Sequence, residues 1–190
     1  MDKAFNINSY IEDGNNARKS LSSDKILRVA EVMTEALMAG KKILCMGNGG
    51  SAADSQHFVA ELVGRFEAER KALPAIALTT NSSITTAIAN DYSYEMVFAR
   101  QVEALANSGD VVVGISTSGN SKNVIAAMES ARQIGCILVT LTGQKGKLME
   151  MADTMCDITV SSPRTSTIQE AHICAIHIIS KLIEDKFTGV

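Results

Sequence analysis

The chain has 190 residues, enough to bury one continuous hydrophobic core, and we predict a single domain over 1–190. Its 18 basic and 21 acidic side chains give a formal net charge of −3. No run of Lys or Arg forms the basic surface that nucleic-acid binding usually needs, so we expect no nucleic-acid partner.

The four cysteines are isolated within apolar runs, which is typical of core residues in a reducing compartment rather than of a zinc or redox motif. The first residues lack a basic segment followed by a long apolar stretch, as a secretory signal would have. Nowhere does the chain approach the ~18 uninterrupted apolar residues of a membrane span. We therefore expect a soluble, cytoplasmic protein with no membrane partner.

The first part of the chain predicts two helices and a buried strand. Scattered apolar residues over 1–21 are consistent with a helix that lies outside the main sheet. A second helix is expected to begin at Ser23 or Asp24, either of which suits an N-cap, and to end at Gly40. The stretch 43–51 combines an apolar run with three glycines in four positions, which predicts a strand, a tight turn and the start of a helix.

The central part continues this alternation of strands and helices. A strand that starts at a proline is predicted over 74–78, followed by a turn rich in Ser, Thr and Asn over 79–83. Helical spacing of apolar residues extends over 94–105. The run 111–115 is the clearest buried strand, and the helix after it is expected to end at Ile134.

The C-terminal part predicts two more strands and a long final helix. The strands cover 136–141 and 156–160, with a loop and a brief helix between them. The final helix is expected to begin at Ser166, where Gln169 would complete a capping box. Strands that alternate with helices in this way indicate an α/β fold with a parallel sheet.

The glycine turn at 47–51 lies at a strand–helix junction, where open α/β sheets bind ligands. Its glycine spacing matches part of the dinucleotide fingerprint, but the acidic residue expected about 20 positions later is missing, since the chain has Leu-Thr-Thr-Asn at 78–81. We expect no nicotinamide cofactor. A tight turn between strand and helix is the simpler interpretation.

A second turn, at 116–121, offers several hydroxyl groups before the amides of a helix N-terminus, an arrangement that favours a phosphate. The hydroxyls belong to Ser116, Thr117, Ser118 and Ser121. Because no P-loop lysine is present, a monophosphate ester fits this turn better than a nucleoside triphosphate. The alternative is an ordinary Ser/Thr N-cap.

His57 and Glu61 are four residues apart on the helix that begins at the glycine turn, so their side chains share one face and can hold a metal. The alternative is a solvated His–Glu pair. At 1.5 Å per residue the two residues lie roughly 9 and 15 Å along the helix from Ser51, within reach of a small sugar phosphate bound at the turn.

The final helix carries Gln169, His172 and His177. Gln169 and His177 are separated by about 12 Å of helical rise, so they can share a metal only if their side chains lean together or come from different subunits. Nothing else in the sequence marks His172, which we interpret as structural.

Taken together, these motifs resemble the phosphoheptose isomerases, also called sedoheptulose 7-phosphate isomerases, of the sugar isomerase (SIS) domain family. The resemblance covers essentially the whole chain, in the family's order. It is carried by residues 47–51, Gln56 with His57 and Glu61, Asn90 with Asp91, 116–121, and 168–170 with His177.

The resemblance implies a three-layer, flavodoxin-like parallel sheet flanked by helices, in a homotetramer with active sites at subunit contacts. It also implies isomerisation of sedoheptulose 7-phosphate to D-glycero-D-manno-heptose 7-phosphate, the first step of ADP-heptose synthesis for lipopolysaccharide core. One zinc ion per subunit is expected.

The site residues follow from the resemblance position by position. The implied zinc ligands are His57, Glu61, Gln169 and His177, of which Glu61 and His177 are also the catalytic pair. The implied substrate contacts are Asn48, Gly49, Gly50, Ser51, Glu61, Arg65, Asn90, Asp91, Ser116, Thr117, Ser118, Ser121 and Gln169, with the four hydroxyl residues holding the phosphate and Arg65 adding positive charge.

These residue types suit a ketose–aldose interconversion through an enediol. Glu61 is the candidate for moving a proton between carbons, and His177 for moving one between oxygens. Zinc can polarise the carbonyl as a Lewis acid. A carboxylate bound to zinc is a weaker base, so whether Glu61 holds metal and acts as base at once stays open.

Two other functions compete with this one. Members of the SIS superfamily include non-catalytic modules that bind sugar phosphates and a tetramer that regulates replication initiation, although a pure scaffold would have no chemical need for the four ligand residues. An isomerase of a pentose or amino sugar phosphate is the second alternative, because nothing in the sequence measures substrate length.

Overall fold

Five parallel strands form the sheet in the computed structural model, which describes residues 6–189. The strands are β1 (Ile43–Gly47), β2 (Ala75–Ala77), β3 (Val111–Ser116), β4 (Ile137–Gly143) and β5 (Asp157–Val160). Their order across the sheet is β2-β1-β3-β4-β5, the flavodoxin-like order that the family resemblance implies. The predicted parallel α/β sheet is therefore confirmed.

Helices cover both faces of this sheet. The helices are α1 (Ile7–Lys19), α2 (Ser23–Met38), α3 (Gly50–Val63), α4 (Ser82–Asp91), α5 (Ala99–Leu105), α6 (Lys122–Ile134) and α7 (Thr165–Thr188), with 3₁₀ turns at Tyr94–Met96 and Lys147–Met151. Helices α2, α3 and α7 pack on one face, and α5 and α6 on the other. Within 6–189 no helix has the length and apolar character needed to cross a membrane.

Burial on both faces explains why the strands appear in the sequence as uninterrupted apolar runs. In β1, Ile43 and Cys45 belong to the core beneath α2, α3 and α7, whereas Leu44 and Met46 belong to the core beneath α5 and α6. Since β1 and β3 are adjacent, the glycine turn and the hydroxyl-rich turn that follow them lie side by side, with Gly47 paired to Ile115.

The N-terminal helix is confirmed as α1, which packs against α7 outside the sheet. The other part of that predicted segment, residues 1–5, lies outside the described residues. The second helix is also present, but its N-cap is Ser22, whose Oγ accepts from the amide of Lys25, so the assignment of the cap to Ser23 or Asp24 was wrong by one or two positions.

The capping box predicted at Ser166 is also wrong. Helix α7 begins one residue earlier, after an N-cap at Arg164 that makes no side-chain cap. The Ser166 hydroxyl instead accepts a hydrogen bond from the Tyr10 hydroxyl at 2.7 Å. A contact between α1 and α7 therefore uses the hydroxyl that local sequence would assign to capping.

Two predictions in the middle of the chain need correction. The turn predicted over 79–83 is shorter, because Asn81 accepts from the amide of Ile84 and starts α4 at Ser82. The helix predicted over 94–105 is divided into the 3₁₀ turn and the short α5, with the cap amide of Val97 bonded to the carbonyl of Tyr94.

Candidate active site

The side chains of His57 and Glu61 on α3 and of His177 on α7 lie close together at the rim of the contact between the two helices. His57 Nε2 lies 2.8 Å from Glu61 Oε1, one turn along α3. His177, on α7, places its Nε2 3.4 Å from His57 Nε2, and the two rings meet edge to face with centroids 5.0 Å apart. The pair predicted on α3 therefore lies beside the histidine predicted on α7.

The packing of the two helices explains why these side chains meet at the rim. Phe58 and Leu62 of α3 point into the core, as do Ile176 and Ile179 of α7. Their apolar contacts bring the helices together, while the neighbouring positions face the edge of the contact. The side chain of His57 is 45 % exposed there, so the cluster is open to solute.

The cluster of His57, Glu61 and His177 has the chemistry and spacing of a metal site. One ligand atom from each residue lies within 4.8 Å of the others. Two nitrogens on one tetrahedral zinc at ~2.05 Å lie about 3.3 Å apart, close to the 3.4 Å between the two imidazoles. Two imidazoles and one carboxylate also match a common catalytic zinc set with one open position.

Asp54 lies on α3 one turn before His57 and was not singled out by the sequence. Burial raises the pKa of its carboxyl to about 6, and the neighbouring His57 lowers it by a smaller amount. Its Oδ2 is buried without a hydrogen-bond partner among the described residues. The i, i+3 spacing to His57 was the one available signal.

The turn after β3 gathers its hydroxyl groups around Ser116. Ser116 Oγ lies 2.8 Å from Ser121 Oγ and 3.3 Å from Ser118 Oγ. Ser121 is the N-cap residue of α6, but its side chain turns toward Ser116 and makes no cap bond. The hydroxyls therefore converge at the start of a helix whose amides and dipole favour an anion.

Two reciprocal hydrogen bonds between amide side chains join the turn after β1 to the first turn of α6, directly after the second turn. Asn48 Nδ2 donates to Asn123 Oδ1, and Asn123 Nδ2 donates to Asn48 Oδ1, each at 2.9 Å. The Tyr94 hydroxyl also donates to Asn48 Oδ1. Asn123 is buried in the first turn of α6 and was not identified from sequence, because nothing local marks it as a partner of Asn48.

Gln169 lies against the glycine turn. Its amide contacts Gly50 so closely that a Cβ at that position would collide with it. Gly50 precedes His57 by seven residues, about 10 Å of helical rise. Within one chain the structure thus joins Gln169 to the glycine turn and His177 to His57 and Glu61.

Comparison with known proteins identifies the family of this chain. A sequence profile of the SIS domain matches residues 9–143. The probable phosphoheptose isomerase of Thermoplasma acidophilum is 57 % identical over 94 % of this chain and 97 % of its own, and the phosphoheptose isomerase of Geotalea uraniireducens is 57 % identical over 87 % of each. The chain belongs to the phosphoheptose isomerases of the SIS domain family.

Solved phosphoheptose isomerases share the fold over nearly the whole chain. The structure from Neisseria gonorrhoeae superposes with a TM-score of 0.84 at 44 % identity and covers 94 % of both chains. That from Francisella tularensis gives 0.89 at 37 % identity, over 94 % of this chain and 96 % of its own. The Vibrio vulnificus NanR protein, at 18 % identity and a TM-score of 0.65, shares the fold alone.

Of the remaining residues that the phosphoheptose isomerase resemblance implies, Asn90, Asp91 and Arg65 are exposed and Ser51 is buried. Asn90 and Asp91 end α4, where the Asn90 amide donates to the Asp91 carboxylate at 2.8 Å. Arg65 follows α3, pairs with Glu69 at 3.1 Å and is 62 % exposed. Ser51 is buried in the first turn of α3.

His172 differs from the two histidines of the cluster. It is buried, its Nε2 donates to the carbonyl of Thr142 at 3.2 Å, and burial lowers its pKa to about 4 although that hydrogen bond raises it. A neutral buried imidazole of this kind fits the structural role expected for His172 from the sequence.

Proposed function

We propose that this chain is an aldose–ketose isomerase that converts sedoheptulose 7-phosphate to D-glycero-D-manno-heptose 7-phosphate. The observation that carries the proposal is the cluster of His57, Glu61 and His177 in a chain 57 % identical to a phosphoheptose isomerase over 87 % of its length. A sugar-phosphate scaffold without catalysis would not require a carboxylate and two imidazoles whose ligand atoms lie within 4.8 Å of one another.

In the proposed reaction, Glu61 removes a proton from C1 of the ketose, next to the C2 carbonyl. The electron pair of the broken C–H bond forms the C1–C2 double bond of an enediol as O2 takes up a proton. Return of a proton to C2, with loss of one from O1, gives the aldose. His177 lies beside Glu61 across the helix pair and is suited to move the proton between O1 and O2.

Zinc is the metal we propose for the cluster. His57, Glu61 and His177 would hold it, with Gln169 as the fourth ligand that the family resemblance implies. When bound, zinc supplies a Lewis acid that polarises the sugar carbonyl. In this chain Gln169 contacts Gly50, and we propose that the fourth ligand is Gln169 of this chain or of another subunit.

We propose that the turn over 116–121 binds the phosphate of the substrate. The convergent hydroxyls and the amides of α6 are neutral donors, which match a phosphate monoester without a P-loop lysine. The glycine turn, held to this turn by the Asn48–Asn123 pair, would contact the sugar. Asn90, Asp91 and Arg65 would add contacts from the exposed ends of α4 and α3.

We also propose a homotetramer with active sites at subunit contacts. The cluster lies about 10–16 Å along α3 from the glycine turn, so one chain spreads its catalytic and binding residues over two surfaces. Helix α4, which ends in Asn90 and Asp91, has no fully buried residue, and Ile84 within it and Tyr92 directly after it are exposed. An apolar helix face of this kind, next to predicted substrate contacts, is suited to pack against another subunit.

The test is incubation of purified protein with sedoheptulose 7-phosphate in D₂O, with and without zinc, followed by NMR. We expect an aldose 7-phosphate and solvent deuterium at the carbons that exchange protons. A non-catalytic binder would shift substrate resonances without exchange or product. That outcome, under every metal condition, would refute the proposed activity. Turnover of only a pentose or amino sugar phosphate would refute the proposed heptose substrate and keep the isomerase activity.

A further inference from the structure

A buried ion pair joins the segment after α3 to the C-terminal part of α7. The Arg70 side chain is 2 % exposed and the Glu184 side chain 0 %, with Arg70 Nε 3.5 Å from Glu184 Oε1. We call these two residues the Arg70–Glu184 clasp. Such pairs contribute little net stability compared with apolar residues of the same volume, so a buried pair calls for a geometric explanation.

Glu184 organises the backbone that follows α3. Its carboxylate accepts hydrogen bonds from the amides of Phe66, Glu67 and Ala68 at 3.0, 2.9 and 2.8 Å. Burial raises the pKa of this carboxyl, but the three amides and the charge of Arg70 together lower it below its ordinary value. An ionised carboxylate with these donors fixes one conformation of the segment.

Arg70, the other member of the clasp, bonds to backbone carbonyls at the end of α3. Its Nη2 donates to the carbonyl of Glu61 at 2.6 Å, and its Nη1 donates to the carbonyls of Leu62 and Lys71 at 2.9 and 3.0 Å. Carbonyls in the last turn of a helix have no partner within the helix. The guanidinium therefore fixes the backbone of Glu61 itself.

The segment held by Glu184 also reaches His177. The ring of Phe66 packs against the imidazole of His177 with centroids 5.8 Å apart and a tilt of 34°. Both members of the proposed catalytic pair are thus in contact with groups that the clasp fixes. Glu61 is held through its carbonyl, and His177 through Phe66.

We propose that Arg70 and Glu184 are positioning residues that set the separation of His57 and Glu61, on α3, from His177, on α7. The inference rests on the proposed isomerase function. A displacement of about 1 Å in a reacting group can cost ~100-fold in rate, so a device that fixes two helices at the cluster has a direct kinetic role.

Two conservative variants test the clasp. Glu184→Gln keeps the volume but turns an amide donor toward backbone N–H groups, and Arg70→Lys keeps the charge but loses the branched donor set. For folded protein we expect kcat to fall ~10–100-fold with KM within about threefold, because the phosphate turn lies elsewhere. If Glu184→Gln does not fold, the same measurements on Arg70→Lys test the clasp.

The matched control is Asp110→Asn. The Asp110 side chain is 2 % exposed and likewise accepts from a cation, Lys42 Nζ at 2.6 Å, and from the amides of Lys42 and Asn107. It precedes β3, away from the cluster. If the clasp serves stability alone, Asp110→Asn and Glu184→Gln will lose activity in proportion to their loss of stability, and the proposal is overturned.

A second readout is independent of isomerase activity. We expect Co²⁺ bound to the wild-type cluster to give a d–d absorption spectrum that changes in energy or intensity in Glu184→Gln and Arg70→Lys but not in Asp110→Asn. NOEs between Phe66 and His177 should weaken in the same two variants. Unchanged spectra and NOEs in both variants would overturn the positioning role, whether or not the wild-type protein turns over a sugar phosphate. Altered spectra in a protein without turnover would refute only the proposed function.

Discussion

The Nε2 atoms of His57 and His177 lie 3.4 Å apart, although 120 residues separate the two histidines in the chain. Their rings come from two helices that run side by side on one face of the sheet. Glu61 completes the group through its 2.8 Å contact with His57. The three side chains form a group whose spacing fits a single metal ion.

Removal of one imidazole should therefore weaken metal binding. We expect His57→Asn to lower the affinity for Zn²⁺ or Co²⁺ by more than ~10-fold, since even loss of an outer-shell partner costs 10–100-fold. Competition with a chromophoric chelator measures the affinity. Gln56→Asn, at an exposed neighbour on α3, is the control and should bind like the wild type. Equal affinities in all three proteins would exclude His57 as a ligand.

Glu61→Gln should abolish isomerisation and leave the fold intact. The amide keeps the shape of the side chain but cannot take a proton from carbon, so we expect kcat to fall by roughly 10²–10⁴. Deuterium incorporation followed by NMR is the measurement, with circular dichroism as the check on folding. Glu31→Gln changes a carboxylate on α2 whose side chain is 59 % exposed and should have no effect. A near-normal rate in Glu61→Gln would remove Glu61 as the base.

The sheet could be predicted from sequence because its strands are buried on both faces. A residue such as Leu44 or Ile43 contributes to one core or the other, so no polar position interrupts the run. The spacing of His57 and Glu61 was likewise visible, since it depends only on the helical repeat.

Contacts between segments that are distant in the chain could not be predicted from the sequence. Ser166 appeared to be a cap, but Tyr10 from α1 bonds to its hydroxyl. The amide of Phe66 meets Glu184 across 118 residues, and no local pattern indicates that contact. The position of Gln169 against Gly50 also follows from the packing of α7 on α3, which determines where along α3 each residue of α7 lies.

The phosphate turn can be tested through KM. Ser121→Ala removes a hydroxyl that lies 2.8 Å from Ser116 Oγ. Loss of one hydrogen bond to a charged group costs about 1.5–3 kcal/mol, so we expect KM to rise ~10–100-fold with a smaller change in kcat. Ser130→Ala is the control, because its hydroxyl lies on the exposed side of α6 and bonds to Glu103. Equal KM values for the two variants would contradict a phosphate contact at Ser121.

Asp54 should make stability depend on pH. Its folded pKa of about 6 lies above the ordinary 3.8, so protonated Asp54 favours folding, and this contribution is lost as pH rises through 6. In metal-free protein, the unfolding free energy of Asp54→Asn should rise relative to the wild type between about pH 4 and pH 6 and keep a constant difference above that, measured by urea denaturation.

Asp110→Asn should show the opposite trend. Burial raises the pKa of Asp110, but its hydrogen bonds and the charge of Lys42 together lower it below the ordinary value. The ionised carboxylate thus stabilises the folded state at neutral pH, and this contribution is lost as pH falls through the lowered pKa. The variant should therefore lose most relative to the wild type at neutral pH. Parallel curves for the two variants would contradict both assignments.

Mixing two inactive variants tests whether one active site combines residues from different subunits. Glu61→Gln damages the cluster, and Ser118→Ala with Ser121→Ala damages the phosphate turn, which lies on another part of the same chain. If each site takes its cluster from one subunit and its turn from another, about a quarter of the sites in a random 1:1 mixed assembly have both parts intact.

Dissociation and reassembly of the mixture should then restore isomerase activity, whereas each variant reassembled alone should stay inactive. Mixed assemblies are confirmed by mass with one variant isotope-labelled. If every site is built within a single chain, each chain carries one defect and no mixture regains activity. Persistent inactivity in proven mixed assemblies would therefore contradict active sites shared between subunits.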